Sequence, residues 1–313
     1  MSWLSILSVL AAVAATSAEA PQPLPDPADA EMIKLQQERN ERVTVPVTIK
    51  GQGPFRFMVD TGAQATVVSS DLANRLGLTE RSPAILVGIA SKADVETTGI
   101  PEFMLGTREF YIRAAPIVQG ENIGGADGIL GLDSLQDQRV LIDFHNERIY
   151  VSDAKSLGGN RGYEIVVKAR RRLGQLIITG ARLNGIDVDV IVDTGSQASV
   201  GNMVLLDQLR LRQTHNVGQN TMTDVNGKEL TAAVRMGKKL EINNMSLNEI
   251  PIMFAESPTF QTLGMNDKPA LILGISALKL FRRVAIDFGK QQVLFDLPRS
   301  VHKRDSMIGA ILG

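Results

Sequence analysis

The chain has 313 residues, of which 44% are hydrophobic and 21% charged, the balance of a soluble globular protein with room for roughly two domains. Its 33 basic and 34 acidic residues give a net charge of -1, so no charge excess points to nucleic acid or to an anionic membrane surface. The absence of cysteine excludes disulfides, thiol catalysis and thiolate metal sites. The histidines, His145, His215 and His302, are too scattered for a histidine metal site or a Ser-His-Asp triad.

The first 20 residues have the pattern of a secretory signal peptide. An apolar stretch from Trp3 to Ala15 precedes the small-residue pattern Ala18-Glu19-Ala20, and it is short for a membrane span. No Lys or Arg precedes the stretch, so an uncleaved membrane anchor stays open as the alternative. No other apolar run approaches spanning length. We therefore expect a mature protein that begins near Pro21 and lies in a bacterial periplasm or is secreted.

The next segment, residues 21–42, divides into two parts. Residues 21–30, PQPLPDPADA, are Pro-rich and predict an extended tether, whereas residues 31–42 favour a short polar helix. An inhibitory role for the whole segment stays open. Regular alternation of apolar and polar residues begins at Val43, and Gly51-Gln52-Gly53 interrupts it, which predicts a β-hairpin.

The chain then repeats itself. Residues 49–78, IKGQGPFRFMVDTGAQATVVSSDLANRLGL, resemble residues 182–211, RLNGIDVDVIVDTGSQASVGNMVLLDQLRL. Each copy has a hairpin turn, an apolar strand, an Asp-Thr-Gly, a short strand and a helix-like stretch. An Ile-Leu-Gly and a closing pair of strands follow in each half, so the repeat unit is a whole small domain. We predict a signal peptide over 1–20, an N-terminal segment over 21–42, a lobe over 43–151, a linker over 152–162, a second lobe over 163–298 and a tail over 299–313.

The doubled Asp-Thr-Gly is the strongest chemical signal in the sequence. A single copy would read as a turn after a strand, but two copies at equivalent places predict that related lobes bring Asp60 and Asp193 together. Two adjacent carboxyl groups share a proton, so one can take a proton from water while the other donates to a carbonyl oxygen. We expect the hydroxyls of Thr61 and Thr194 to lock the two loops together. Glycines follow in both copies and allow backbone N–H groups to approach the carboxylates, namely Gly62 and Gly195.

These residues carry a resemblance to a known family. VDTGAQATVVSSDLANRLGL and VDTGSQASV resemble the active-site loop of retropepsin-type aspartic proteases, and DGILGL and LILGISALKLFRRVAIDF resemble the hydrophobic-hydrophobic-Gly segments of pepsin-type enzymes. The resemblance covers nearly all of residues 43–297. It implies a single-chain, all-β, bilobal acid-protease fold of two retropepsin-like barrels related by a pseudo-two-fold axis, with few short helices. It implies a peptide or protein substrate, no metal and no cofactor.

The resemblance also implies roles for individual residues. Asp60 and Asp193 would form the catalytic dyad of an aspartic endopeptidase. The supporting residues would be those of the two active-site loops, Thr61, Gly62, Ala63, Thr194, Gly195 and Ser196, and those of the hydrophobic-hydrophobic-Gly segments, Ile129, Leu130, Gly131, Ile272, Leu273 and Gly274.

Members of these families cover the cleft with a β-hairpin flap, and this chain has a candidate in each half. The first is residues 86–99, with Ser91 and Lys92 near its tip, and the second is residues 221–233, where Asn226-Gly227 is a strong hairpin turn. Neither has the flap tyrosine of pepsin-like enzymes, and neither is as Gly-rich as a retropepsin flap. Which hairpin closes over substrate, or whether both do, stays open.

Three alternatives remain beside this interpretation. The chain could be a catalytically inactive peptide-binding module, although both Asp-Thr-Gly motifs are intact; and the lobes could pair between two chains, although we expect a monomer. Asp187, Asp189 and Asp193 alternate on one strand, as hard-cation ligands could, but the first copy repeats no such ladder and solvent-facing charges explain it better. Serine hydrolysis is disfavoured because Ser196 and Ser199 lie in no Gly-x-Ser-x-Gly elbow.

The two motifs differ at one position, Ala63 against Ser196. The Ser196 hydroxyl could donate a hydrogen bond to the Asp193 carboxylate and favour its charged form, while Ala63 offers Asp60 none. On this hypothesis Asp60 carries the shared proton more often, and Ala63→Ser moves the acidic limb of the pH–rate profile to lower pH.

Overall fold

The computed structural model of the chain describes residues 32–34, 36–37, 43–209 and 216–298. The predicted signal peptide, the tether over residues 21–30, two of the histidines and the C-terminal tail lie outside these residues. Within the described part of the chain, no helix has the length and apolar character needed to cross a membrane.

Short strands dominate the described residues, as the alternating sequence predicts. In chain order they are β1 (Met32–Lys34), β2 (Gln36–Gln37), β3 (Val43–Ile49), β4 (Gln52–Val59), β5 (Val67–Ser69), β6 (Ser82–Val87), β7 (Lys92–Leu105), β8 (Arg108–Val118), β9 (Gly128–Leu130), β10 (Arg139–Asp143), β11 (Arg148–Ser152), β12 (Ile165–Lys168), β13 (Arg170–Arg172), β14 (Gln175–Leu183), β15 (Ile186–Val192), β16 (Ser199–Gly201), β17 (Asn216–Thr223), β18 (Glu229–Ile242), β19 (Met245–Phe254), β20 (Ala270–Leu273), β21 (Arg283–Asp287) and β22 (Gln292–Asp296).

The helices are few and short. They are α1 (Ser70–Arg75), α2 (Leu132–Leu135), α3 (Met203–Gln208), α4 (Pro258–Thr262), α5 (Ile275–Leu278) and a 3-10 helix over Gly120–Ile123. Side chains at the N-caps fix where several of them begin: the Ser69 hydroxyl accepts from the backbone of α1, and the Asn202 side chain accepts from the backbone of α3.

Six strands of the N-terminal half close into a barrel. They follow one another in the order β3, β4, β9, β5, β8 and β7, and β7 pairs back to β3. The C-terminal half has the same order with β14, β15, β20, β16, β19 and β18, closed by the pairing of β14 with β18. The matching order confirms the prediction of an all-β protein with two related lobes. Apolar residues fill the core on both sides, among them Phe57, Phe103, Val190 and Leu273.

A third sheet joins the two lobes. Its strands run β1, β11, β10, β21, β22, β12, so that β10 of the first lobe pairs antiparallel with β21 of the second. Arg139 on β10 is fully buried and bonds Asp287 on β21, with 2.6 Å between Nη2 and Oδ2. The Arg139 guanidinium also donates to the Gly159 carbonyl and the Asn160 side chain, so it anchors the segment that connects the lobes. The lobes therefore share one continuous backbone hydrogen-bond network.

The predicted polar helix over residues 31–42 is wrong. Residues Met32–Lys34 pair antiparallel with β11, and residues Gln36–Gln37 pair with β3. β11 would otherwise be an edge strand, and the start of β3 lies beyond its pairing with β7, so both have backbone groups that can accept a further strand. A short polar helix has no apolar face to stabilise it, so strand pairing wins over local helix propensity.

Candidate active site

The two Asp-Thr-Gly loops lie where the lobes meet. Asp60 follows directly after β4 and Asp193 directly after β15. Each aspartate is held by its own lobe, because the Asp60 amide donates to the Leu130 carbonyl and the Asp193 amide donates to the Leu273 carbonyl, each at 3.1 Å. The predicted hydrophobic-hydrophobic-Gly segments thus lie beside the loops and position the aspartate backbones.

The rest of these segments supports the same loops. In the first lobe, Gly131 donates its N–H to the Thr66 hydroxyl at 3.2 Å, and the amide that follows it donates to the Ala63 carbonyl at 2.9 Å. In the second lobe, Gly274 donates to the Ser199 hydroxyl at 3.2 Å, and the next amide donates to the Ser196 carbonyl at 2.8 Å. Two residues of the segments, Ile129 and Ile272, line the cleft instead.

The threonines of the two loops bind each other's lobe. The Thr61 hydroxyl donates to the Val192 carbonyl at 2.9 Å and accepts the Thr194 amide at 3.2 Å. The Thr194 hydroxyl reciprocally donates to the Val59 carbonyl at 2.7 Å and accepts the Thr61 amide at 3.1 Å. All four bonds are buried. This exchange has the local two-fold relation that the repeat predicts, and it fixes the loops against each other.

The glycines of the two loops each face the aspartate of the opposite lobe. A Cβ atom at Gly62 would lie 2.5 Å from Cγ of Asp193, and a Cβ atom at Gly195 would overlap the Asp60 carboxyl group. Glycine is therefore required at both positions by the approach of the two carboxyl groups. The expected donation of backbone N–H groups is also present: Gly62 and Ala63 donate to Asp60 at 2.8 and 2.9 Å, and Gly195 and Ser196 donate to Asp193 at 2.8 and 3.2 Å.

The carboxyl groups of Asp60 and Asp193 are close enough to share a proton. Burial raises the pKa of Asp193 well above its ordinary value of 3.8, and the charge of Asp60 and a hydrogen bond from one side chain to the other raise it further. The N–H groups of Gly195 and Ser196 act in the opposite direction but do not outweigh these effects. Asp193 therefore holds a proton to higher pH than an ordinary aspartate does.

This raised pKa predicts how stability depends on pH. The native protein keeps a proton on Asp193 over a range in which the unfolded chain has lost it, so stability falls as pH rises from about 4 through the native pKa. Asparagine at position 193 does not titrate, so the Asp193→Asn variant lacks this loss of stability. The melting temperature of the variant, relative to that of the wild type, is therefore expected to increase with pH across this range. Scanning calorimetry at several pH values measures this difference, with the exposed Asp207→Asn as control. A difference that is flat or decreases with pH contradicts the assignment.

The hypothesis about Ser196 is wrong. Its hydroxyl donates to the Ala198 carbonyl at 2.8 Å, within its own loop, and not to the Asp193 carboxylate. Only the backbone N–H of Ser196 reaches Asp193. Burial and the neighbouring carboxylate outweigh the backbone hydrogen bonds that favour the charged form of Asp193, so its pKa is raised. The difference between Ala63 and Ser196 therefore gives no reason to expect a shifted acidic limb in Ala63→Ser.

A cleft of about 630 Å³ lies over the two aspartates, and both predicted hairpins border it. The first hairpin is β6 and β7, whose tip is residues 88–91, with Lys92 at the start of β7. The second is β17 and β18, with residues 224–228 at its tip, including the predicted Asn226-Gly227 turn. Residues of both hairpins line the cleft, so neither hairpin borders it alone.

The two hairpin tips are joined by hydrogen bonds around one buried carboxylate. Asp224, 3% exposed, accepts the Ser91 hydroxyl at 2.6 Å and the Ala90 amide at 3.3 Å. The other oxygen of the carboxylate accepts the amides of Asn226 and Lys228 in its own turn, at 3.0 and 2.9 Å. The Asn226 side chain adds a bond to the Ser91 hydroxyl at 3.0 Å. We call this set of contacts the tip junction.

Each tip also contacts the lobe opposite its own. Ser257 and Thr259, at the start of α4 in the second lobe, donate their hydroxyls to the Ile89 and Gly88 carbonyls of the first tip, at 2.6 and 3.2 Å. Asn122, in the 3-10 helix of the first lobe, donates to the Val225 carbonyl of the second tip at 3.4 Å. Both hairpins therefore reach across the cleft to the opposite lobe.

The alternating aspartates Asp187, Asp189 and Asp193 have separate roles. Asp187 pairs with Arg182 at 2.9 Å on an exposed face, and Asp189 pairs with Lys268 at 2.6 Å. Asp193 alone of the three belongs to the cleft. Among the described residues, no group of three or more His, Asp or Glu side chains has a geometry suited to a metal ion.

Two residues of the site were missed from the sequence. Asp224 could have been suspected, because an aspartate two residues before Asn-Gly often accepts backbone N–H groups in a turn. Gln175, which lines the cleft beside the aspartates and donates to the Gly62 carbonyl, has no local signal. It lies 18 residues before Asp193 and reaches the other lobe, so only the folded structure shows its role.

Comparison with known protein families gives two matches, one in each lobe. Residues 45–137 match the family described as "gag-polyprotein putative aspartyl protease". Residues 179–277 match the family described as "Aspartyl protease". The first match contains the loop of Asp60 and the second contains the loop of Asp193, so each aspartate of the pair comes from a separate matched domain.

Proposed function

The chain belongs to the two-lobe, retropepsin-like aspartic proteases, with one aspartyl protease domain in each half, and from this we propose that it is an active aspartic endopeptidase. The observation that carries the proposal is the pair formed by Asp60 and Asp193, one from each domain, with a hydrogen bond between their side chains. Neither loop has lost its Asp-Thr-Gly, and the lobes hold both loops in matching positions.

The geometry supports a general acid-base mechanism that uses one water molecule. Asp60, ionised, takes a proton from the water while the water oxygen attacks the carbonyl carbon of the peptide. Asp193, protonated, donates its proton to the carbonyl oxygen, which gives a neutral tetrahedral diol. The C–N bond then breaks: the amine nitrogen takes the proton from Asp60, and Asp193 recovers a proton from one diol hydroxyl as the new carboxylic acid forms. The dyad ends in its starting state, and the proposed steps need no metal or cofactor.

The lining of the cleft suggests which peptides it accepts. Apolar side chains from both lobes surround the dyad, among them Met58, Val67, Ile129, Met222, Leu263 and Ile272. Among the described residues that line the cleft, four carry carboxyl groups and none is Lys, Arg or His. Of the two outside the dyad, Asp224 is committed to the tip junction, whereas Glu121 is exposed on the first-lobe wall. We propose that substrates place apolar residues next to the cut and a basic residue near Glu121.

The test is cleavage of a mixed peptide library between pH 3 and 8, with new termini identified by mass spectrometry. We expect cuts flanked by apolar residues and enriched for Lys or Arg at a nearby position. The double variant Asp60→Asn/Asp193→Asn serves as the control and should leave the library intact. Peptides that bind to the wild type without being cut at any pH would show an inactive binding module. Enrichment of Asp or Glu in place of Lys or Arg would overturn the proposed selectivity.

A further inference from the structure

Gln175 connects the two lobes at the floor of the cleft. It is the first residue of β14 in the second lobe, it is 3% exposed, and its Nε2 donates a hydrogen bond to the carbonyl of Gly62 in the first lobe. Gly62 belongs to the Asp-Thr-Gly loop of Asp60. The contact therefore runs from one lobe to the catalytic loop of the other, and it is separate from the exchange between the threonines.

The Gln175 side chain is not explained by packing. Its Oε1 is buried, and among the described residues none donates a hydrogen bond to it. A buried acceptor without a partner lowers stability, and a methionine of similar size at this position would avoid that loss. The amide is therefore present for the donor that it supplies to Gly62, since that is the interaction an apolar side chain cannot make.

The peptide group between Gly62 and Ala63 passes this interaction on to Asp60. Its carbonyl oxygen accepts from Gln175, and its N–H, which belongs to Ala63, donates to Oδ1 of Asp60 at 2.9 Å. A hydrogen bond to the carbonyl polarises the peptide and strengthens the bond donated by its N–H. The equivalent amide in the other loop, that of Ser196, is farther from its aspartate, at 3.2 Å. The two aspartates are thus not held equally.

We propose that Gln175 is a positioning residue that acts through the Gly62–Ala63 peptide to keep Asp60 the ionised member of the dyad. The group that faces Asp60 directly is Asp193, and the other titratable residues that line the cleft are Glu121 and Asp224. The effect on catalysis rests on the proposed function, because an ionised Asp60 is the base that activates water. The effect on the ionisation of Asp60 does not depend on the proposed function, and it can be measured without a substrate.

The experiment is an NMR titration of carboxyl-labelled aspartate in the full chain, with the dyad signals assigned from Asp60→Asn and Asp193→Asn. In Gln175→Met, the charged form of Asp60 loses support, so the lower of the two apparent pKa values of the pair is expected to rise by about 0.5 unit. Gln197→Met makes the same change on an exposed glutamine of the same cleft and should leave both values in place. A shift below about 0.2 unit in Gln175→Met, or an equal shift in both variants, overturns the proposal.

A measurement on the wild type covers the case in which Gln175→Met does not fold. The side-chain amide protons of Gln175 and the amide proton of Ala63 should both change chemical shift with the lower apparent pKa of the dyad; shifts that stay constant overturn the relay. If peptides are cleaved, the acidic limb of the kcat/KM profile should move with the same size and direction, with KM unchanged. A purely structural role would lower stability and leave these titrations unmoved. If the wild type cleaves no peptide, the proposed function is refuted, but the titration result is unaffected.

Discussion

Asp60→Asn and Asp193→Asn are each expected to lower kcat/KM for a cleaved peptide by about 10²–10⁴-fold, the range that general acid-base catalysis contributes. Asparagine keeps the shape of the side chain but can neither accept the proton of the attacking water nor donate one to the carbonyl oxygen. Since the two aspartates act on one water as a unit, the double variant should be little worse than the poorer single variant. The loss should fall mainly on kcat, because the apolar lining of the cleft is unchanged.

Steady-state kinetics on a peptide chosen from the library measures this effect. Asp187→Asn is the matched control, because it makes the same change on an exposed aspartate that pairs with Arg182 away from the cleft, and it should retain wild-type activity. Circular dichroism of each variant shows that the fold is retained. If either dyad variant keeps more than about a tenth of the wild-type kcat/KM, the dyad is not the catalytic centre.

Thr61→Val and Thr194→Val are each expected to lower the free energy of unfolding by roughly 2–5 kcal/mol. Each hydroxyl makes two buried bonds with the opposite lobe, so its removal leaves one carbonyl and one amide without their partners. Valine has nearly the shape of threonine, and the loss therefore reports the bonds more than a cavity. The variants should also lose activity, because the loops that hold the two aspartates are no longer fixed to each other.

Equilibrium denaturation at a pH of maximal stability measures the threonine effect. Thr61→Ser and Thr194→Ser are the matched controls, since they keep the hydroxyl and remove one methyl group, and they should lose much less stability than the valine variants. Thr221→Val removes an exposed hydroxyl from β17 and should change little. Losses below about 1 kcal/mol in both valine variants would show that water replaces the exchanged bonds and that the lobes are held by the shared sheet alone.

Features encoded by neighbouring residues were predictable from the sequence. The strands, the hairpin turns and the two Asp-Thr-Gly motifs have local signals, and the repeat of the motif at equivalent places predicted that Asp60 and Asp193 would meet. The anchoring of each aspartate by Leu130 or Leu273 follows from the same repeat, since the Ile-Leu-Gly strand runs beside the strand that carries the aspartate.

Features that depend on partners far along the chain were not predictable. Residues 31–42 were expected to be helical because their partners, the edges of β11 and β3, are defined only by the fold. Ser196 differs for a local reason: it was expected to donate to Asp193, but its hydroxyl donates to the Ala198 carbonyl in its own loop. Gln175 reaches a residue 113 positions away in the other lobe. For residues 31–42 and Gln175 a tertiary partner decides the outcome, whereas for Ser196 the conformation of its own loop does.

The asymmetry of the tip junction bears on the direction in which a peptide can bind in the cleft. Ser91 and Asp224 occupy different places in their hairpins: the Gly88 amide closes the first turn on the Ser91 carbonyl, whereas the Asp224 amide closes the second turn on the Lys228 carbonyl. The two turns therefore differ in length, and a donor on one side meets an acceptor on the other. An assembly of two identical halves would repeat the same turn on both sides, and its cleft would be palindromic. In a single chain the two halves can differ in sequence. Glu121 lines the cleft on the side of the first lobe, whereas among the described residues of α4, on the side of the second lobe, none that lines the cleft carries a carboxyl group. On the proposed function, we expect a polypeptide to contact different side chains at the two ends of this cleft and therefore to bind in one amino-to-carboxyl direction.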